Sequence, residues 1–171
     1  RRQRQMCIRD SLYTYGQLVR RQEIKLGDEV NFAVPTGNFG DILAGYYAKK
    51  LGLPIKKLIC ASNENNVLTD FFNNGVYDKR RKFHLTNAPA MDILVSSNLE
   101  RLLFDLYGEN NYEVASLMNQ LTQRGHYQVS GEVFTKLQKN FAAGFATEEE
   151  VKSEIKRVYN YDRYVIDPHT A

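Results

Sequence analysis

The sequence predicts an α/β fold: a parallel sheet flanked by helices, with a helix-rich second half. Three observations carry this. The runs VNFAVP (30–35) and IKKLICAS (55–62) are short and largely apolar, as expected of strands covered on both faces. Between them lie a Gly-bearing turn and one helical pattern, the content of a βαβ unit with a right-handed crossover. Beyond residue 98 the apolar residues recur mostly at helical spacing.

The elements follow in order. SLYTYGQLVRRQEIKL (11–26) places Leu12, Tyr15, Leu18 and Val19 at helical spacing, and Gly27-Asp28 breaks it. The strand 30–35 ends at Pro35, and TGNFG (36–40) is a tight turn. DILAGYYAKKLG (41–52) gathers Ile42, Leu43, Tyr46, Tyr47 and Leu51 on one face, with lysines in its last turn and Gly52 closing it. Strand 55–62 follows Pro54, and NNVLTDFFNNG (65–75) reads as a helix with a Gly stop. Residues 76–98 look irregular. Helices are expected over 99–107, 112–124, 133–141 and 147–160, the last with Thr147 as N-cap and three Glu in its first turn. YVIDP (164–168) reads as a final strand in the same sheet. The opening RRQRQMCIRD carries four Arg and no apolar period, so residues 1–10 read as a non-native leader and residues 11–171 as the folded part.

Composition excludes several classes. The chain has 171 residues, 43% hydrophobic and 25% charged, which is globular rather than disordered. No apolar run approaches the ~20 residues a membrane span needs. A net charge of +3 is too small an excess to argue for nucleic acid. Cys7 and Cys60 alone build neither a disulfide scaffold nor a metal site, and His84, His126 and His169 lack metal-ligand spacing. A reducing, cytoplasmic setting is the expectation.

The chemistry concentrates in VNFAVPTGNFGDILAGYYAKKLG. A strand runs into a small-residue turn and a helix begins at once, so free N–H groups and the helix dipole favour an anion there. Gly37 and Gly40 allow close backbone approach. The spacing is neither a Walker A loop nor GxGxxG. A plain βα turn with Asn38 as N-cap fits the same residues. KRRK (79–82) reads as a solvated loop, Cys60 as a small core residue, and most Tyr and Phe as core.

PTGNFGDILAGYYAKKLGLPI resembles the cofactor-phosphate segment of threonine synthases, members of fold-type II of the pyridoxal-phosphate enzymes. The resemblance continues through LICASNENNVLTDFFNNGVYD and APAMDILVSSNLERLLFDLYG to DPHTA, roughly residues 17–171. It implies a fold-type II domain and an enzyme of threonine biosynthesis, a lyase that converts O-phospho-L-homoserine and water to L-threonine and phosphate with pyridoxal 5'-phosphate. It implies that Gly37, Asn38, Phe39, Gly40 and Asp41 hold the cofactor phosphate. Thr170 would sit near the pyridine nitrogen. Asn63, Ser97, Asn98 and Arg101, with Ser96, lie in motifs that would meet substrate. Asp41 stands where many relatives have Asn, so its carboxylate should turn away from a phosphate.

Departures from the family pattern matter equally. The family's Schiff-base lysine lies in an N-terminal half that precedes such a segment, and no lysine here occupies a matching motif. Lys49, Lys50, Lys56 and Lys57 read as solvated charges. The expectation is therefore a fragment with no catalytic residue of its own, inactive without the missing half. The alternatives are a threonine-synthase-like phospholyase, another fold-type II lyase, or a non-catalytic phosphate-binding α/β module.

Overall fold

In the computed structural model, which describes the backbone of residues 2–171 and side chains from residue 7, two parallel strands lie where the apolar runs put them. β1 (Val30–Pro35) pairs with β2 (Ile55–Ser62), Phe32 opposite Leu58 and Pro35 opposite Ala61. α2 (Gly40–Lys50) connects them and α3 (Val67–Asn74) follows. Gly52 and Gly75 end these helices at φ 101° and 77°, a backbone conformation that strains any residue with a Cβ.

The third strand is a correction. The sheet order is β1-β2-β5, and β5 is Phe141–Phe145, parallel to β2, with Leu58 opposite Phe141 and Ser62 opposite Phe145. Residues 164–168 form no strand. They follow α7 (Glu148–Asp162), whose C-cap Arg163 adopts φ 54°, and they leave Tyr164 and Val165 65% and 67% exposed. FAAGF carries a weak strand signal because Ala and Gly have little side chain to pack on a pleat, whereas Tyr, Val and Ile carry a strong one. Position beside β2 decided the matter, and β5 holds it.

The first helix has other bounds than its apolar spacing suggests. α1 runs Arg2–Arg20 as one helix, through the boundary expected at residue 11. Arg and Gln are good helix formers and sustain it without an apolar period. Ile8 packs against the core, and the Cys7 thiol donates to Asp41 Oδ1 at 3.1 Å. The helix stops at Arg20 rather than Leu26. The Tyr15 hydroxyl accepts from Gly27 N–H at 2.9 Å and donates to the Asp28 carbonyl at 3.2 Å, holding the turn.

The second half contains α4 (Leu99–Leu106), α5 (Asn111–Arg124), α6 (Gly131–Asn140) and α7. Thr147 and Glu150 close a capping box at the start of α7. Within the stretch expected to be irregular, β3 (Val76–Asp78) pairs antiparallel with β4 (His126–Gln128), and a short 3-10 turn spans Pro89–Met91. Tyr77 and Tyr127 stack across that pair at 5.2 Å.

The core lies on one face of the sheet. Leu58 and Cys60 are fully buried there and Phe141 nearly so, with Phe32 and Val34 beside them. A Cβ on Gly45 of α2 would stand 2.9 Å from Leu58 Cδ2, so Gly lets that helix sit close to β2. The other face presents Ala33, Ile59, Ala61, Ala142 and Gly144, and no described helix covers it as α2 and α3 cover the first.

Candidate functional site

The carboxyl ends of β1, β2 and β5 open on one edge, and the turn after β1 lies there. Thr36 is buried: its N–H donates to the Ala61 carbonyl at 2.8 Å and its hydroxyl to the Val34 carbonyl at 2.6 Å. Phe39, not Asn38, is the N-cap of α2, and it adopts φ 64°, a left-handed conformation costly for a bulky residue. Its ring offsets that cost by complete burial, 5.8 Å from Phe72 and 5.9 Å from Phe141. The core therefore grips the turn through Phe39.

Carbonyl groups of the turn are tied from behind. Ser96 Oγ donates to the Gly37 carbonyl at 3.0 Å. Asn98 donates to the Asn38 carbonyl twice, from its N–H at 3.2 Å and from Nδ2 at 2.7 Å. The N–H groups of residues 37–42 find no acceptor among the described residues. They begin an 11-residue helix and border a cleft of about 720 Å³. With carbonyls held away and amides free, the turn presents positive potential to that cleft.

The two glycines serve differently. A Cβ on Gly37 would lie 2.3 Å from the Ala90 carbonyl oxygen, so Gly37 is required by the protein's own 89–91 turn. A Cβ on Gly40 would meet only Asn98 Nδ2, at 3.8 Å. The Cα of Gly40 thus has room for a Cβ. Gly37 instead seats the wall of the cleft.

Arg101 borders the cleft and donates from Nη1 to Asn98 Oδ1. It has no carboxylate within ion-pair distance among the described residues. Asp105, one turn further along α4, takes Lys50 and the Tyr46 hydroxyl instead. Ser97 is exposed and lines the same cleft. Asp41 also lines it and accepts from Cys7. Burial first, then the Asp41 carboxylate, push the Cys7 thiol up to about 11.

Asn63 is placed otherwise. It is 3% exposed, and its Nδ2 donates to Asp92 Oδ1 at 2.7 Å and Thr86 Oγ1 at 2.8 Å. Asp92 accepts further from Asn65 Nδ2 at 3.0 Å and from Thr86 N–H at 3.0 Å. Partial burial acts to raise the Asp92 carboxyl, but these hydrogen bonds outweigh it and hold the group below the ordinary range. This network fastens the segment that carries Ala90. Nothing in the spacing of NAPAMD marks it, since its partners come from residues 63–65, and only the fold brings them together.

Thr170 lies on the same edge without belonging to a strand. The tail folds back through a turn in which Thr170 N–H donates to the Asp167 carbonyl at 2.8 Å. Thr170 lines a neighbouring cavity of about 610 Å³ with Pro35, Ala61, Ser62 and Asn63. Ser62 Oγ is buried there with no hydrogen-bond partner among the described residues. His169 lines both this cavity and the cleft. The structure thus gathers residues 37–41, Ser97, Asn98 and Arg101 on one cleft, and Asn63 with Thr170 on the next.

The remaining candidates are structural. Cys60 is fully buried, and desolvation pushes its thiol up to about 12. Of the basic cluster, Arg80 pairs with Asp78 and Arg81 with Asp70. Among the described residues no group of His, Cys, Asp or Glu could hold a metal ion, and no helix is long and apolar enough to cross a membrane.

No protein-family model matches the chain. It is 46% identical over 158 residues to threonine synthase-like 1 of Homo sapiens, covering 92% of this chain and 21% of that protein. It is 41% identical over 172 residues to threonine synthase of Saccharomyces cerevisiae, covering 93% of this chain and 33% of that one. Its fold matches pyridoxal-phosphate-bound threonine synthase from Brucella melitensis with a TM-score of 0.85 and 40% identity, over 95% of this chain and 34% of that one. The chain spans about a fifth to a third of the length of the curated relatives it matches.

Proposed function

This chain belongs with the threonine synthases over the stretch it covers, and on that premise we propose that its turn at 36–41 holds the phosphate of pyridoxal 5'-phosphate. The reaction would be conversion of O-phospho-L-homoserine and water to L-threonine and phosphate. The carrying observation is the set of free N–H groups at residues 37–42, beside Gly37 and Asn38 carbonyls that Ser96 and Asn98 hold back. The orphaned Ser62 hydroxyl beside Thr170 is a second group that lacks a partner on this edge.

When bound, pyridoxal phosphate supplies an electron sink for carbanions formed at the substrate's amino-acid carbons. This chain's residues bind and orient. The amides of the turn take the cofactor phosphate. Thr170 would offer a hydroxyl rather than a carboxylate to the ring nitrogen, which would temper that nitrogen's protonation. Arg101, free of carboxylates and held by Asn98, suits the substrate's phosphate, with Ser97 beside it. The close Asp41 carboxylate weakens both anions, and its bond to Cys7 draws it toward α1.

The Schiff-base lysine would come from a segment outside this chain, so residues 11–171 alone should be inactive. The relatives' greater length supports this. A cytoplasmic setting, with both thiols reduced, suits such an enzyme. The test is the complete protein incubated with pyridoxal phosphate and O-phosphohomoserine. Phosphate and threonine in equal amounts support the reading. Phosphate without threonine favours a threonine-synthase-like phospholyase, a reading that the 46% identity to threonine synthase-like 1 keeps open. No phosphate release rejects both.

A further inference from the structure

Resting on the cofactor reading above, we propose that His169 is a positioning residue that closes the phosphate site only while its imidazole is neutral. His169 Nδ1 lies 2.6 Å from Asp167 Oδ1, and a carboxylate can only accept, so Nδ1 carries the hydrogen. Nε2 lies 3.2 Å from the Ala90 N–H, and an amide can only donate, so Nε2 presents its lone pair. Together the two neighbours select one neutral tautomer. Asp167 Oδ1 also accepts the His169 N–H at 2.8 Å, which fixes the base of the ring.

What this bond holds is the wall of the phosphate turn. Ala90 sits in the 89–91 turn, and its carbonyl lies where a Cβ on Gly37 would be only 2.3 Å away. The next residue in the tail is Thr170. One hydrogen bond therefore joins the tail to the wall against which the turn rests. A second proton on the ring converts Nε2 into a donor facing a donor. The Ala90 amide then loses its partner, and the tail and wall part.

The charged groups around the ring come from four directions. Asp167 is in contact with it. Glu148 of α7 shares one cavity with it and bonds Asn87. Asp41 and Arg101 border the cleft that His169 also lines. Asp92 lies in the Ala90 segment and is occupied by Thr86, Asn63 and Asn65. Of these described groups only Asp167 touches the ring, and it bonds the nitrogen that stays protonated in both states.

The experiment uses the complete protein that carries this segment. Protection of the Ala90 amide from hydrogen exchange is followed by NMR without cofactor, from pH 8 to pH 5.5, alongside the His169 ring signals. The protection factor should fall about fivefold, the worth of one net hydrogen bond, with the midpoint of the His169 titration. His169→Gln keeps an acceptor and takes no proton, so its protection should stay level. Pyridoxal phosphate affinity should then fall about fivefold more on acidification in the wild type than in His169→Gln. The ligand's own phosphate titrates in both proteins and cancels in that ratio. Level protection in the wild type, or an equal fall in His169→Gln, overturns the proposal. So does an unchanged affinity ratio. If the protein binds no pyridoxal phosphate at pH 8 while Ala90 protection still tracks His169, the cofactor reading fails and the proton-sensitive contact is upheld.

Discussion

The two faces of the β1-β2-β5 sheet are made on different terms. On one, Leu58, Cys60 and Phe141 are sealed beneath α2 and α3, and the aromatic rings of Phe39, Phe72 and Phe141 interlock. On the other, Ala33, Ile59 and Ala61 lie open to partly open. The structure at its carboxyl end is held by hydrogen bonds: Asp92 to its four donors, His169 to Ala90, Ser96 and Asn98 to the turn. Packing anchors the turn and polar bonds aim it. A parallel sheet is normally covered on both faces, so this half-covered sheet is the place to ask which forces the chain supplies alone.

The largest effect should come from the covered face. Leu58→Ala removes a fully buried side chain and should cost about 3 kcal/mol. Ile59→Ala, one residue along and on the open face, should cost under about 1 kcal/mol. Urea unfolding of both variants checks this, and equal costs would mean the faces do not differ as described.

At the edge where the faces meet, Gly37→Ala should weaken pyridoxal phosphate binding about tenfold, because its Cβ must displace the Ala90 carbonyl. Gly40→Ala, with room at 3.8 Å, should change affinity less than about threefold. Titration by absorbance of the complete protein compares them. A reversed order would show that the anion packs directly against the Gly40 Cα and that the Ala90 wall can yield.

The polar side is tested by acid. The Asp92 carboxyl is held below its unfolded value of 3.8, so it contributes stability that is present above that value. That stability is lost as pH falls through the folded value. Asp92→Asn should lower stability at pH 7 by about 1 kcal/mol and flatten the decline below pH 4. Thermal unfolding from pH 7 to pH 3 would show parallel curves if the network carried no charge-dependent stability.

The smallest effect concerns Asp41. Asp41→Asn removes a carboxylate that borders the cleft and should tighten pyridoxal phosphate binding about twofold to fivefold. It should also let the Cys7 thiol fall from about 11, since Asp41 helps to raise it. Cys7 alkylation against pH, together with cofactor titration, checks both.

Most of the elements were legible because the signals were local. VNFAVP and IKKLICAS are bounded by Pro and Gly, and Thr147 with Glu150 announces α7 by itself. The last strand was misplaced because FAAGF looks weak in isolation and YVIDP strong. The site was half legible. The Gly turn reveals an anion-binding geometry, yet the roles of Ser96 and Asn98 as ties on carbonyls, and of Gly37 as a seat for Ala90, depend on residues 53 to 60 positions away.

The sequence by itself determined the βαβ unit, the helices and the turn's character, since hydrophobic period, caps and glycine act within a few residues. Tertiary structure alone decided which strand lies beside β2, that Phe39 is driven into a left-handed conformation by burying its ring, and that Asp92 and His169 hold the wall of the cleft. Those outcomes depend on which distant groups compete for the same neighbour or the same hydrogen bond, and that competition is settled only when the chain closes on itself.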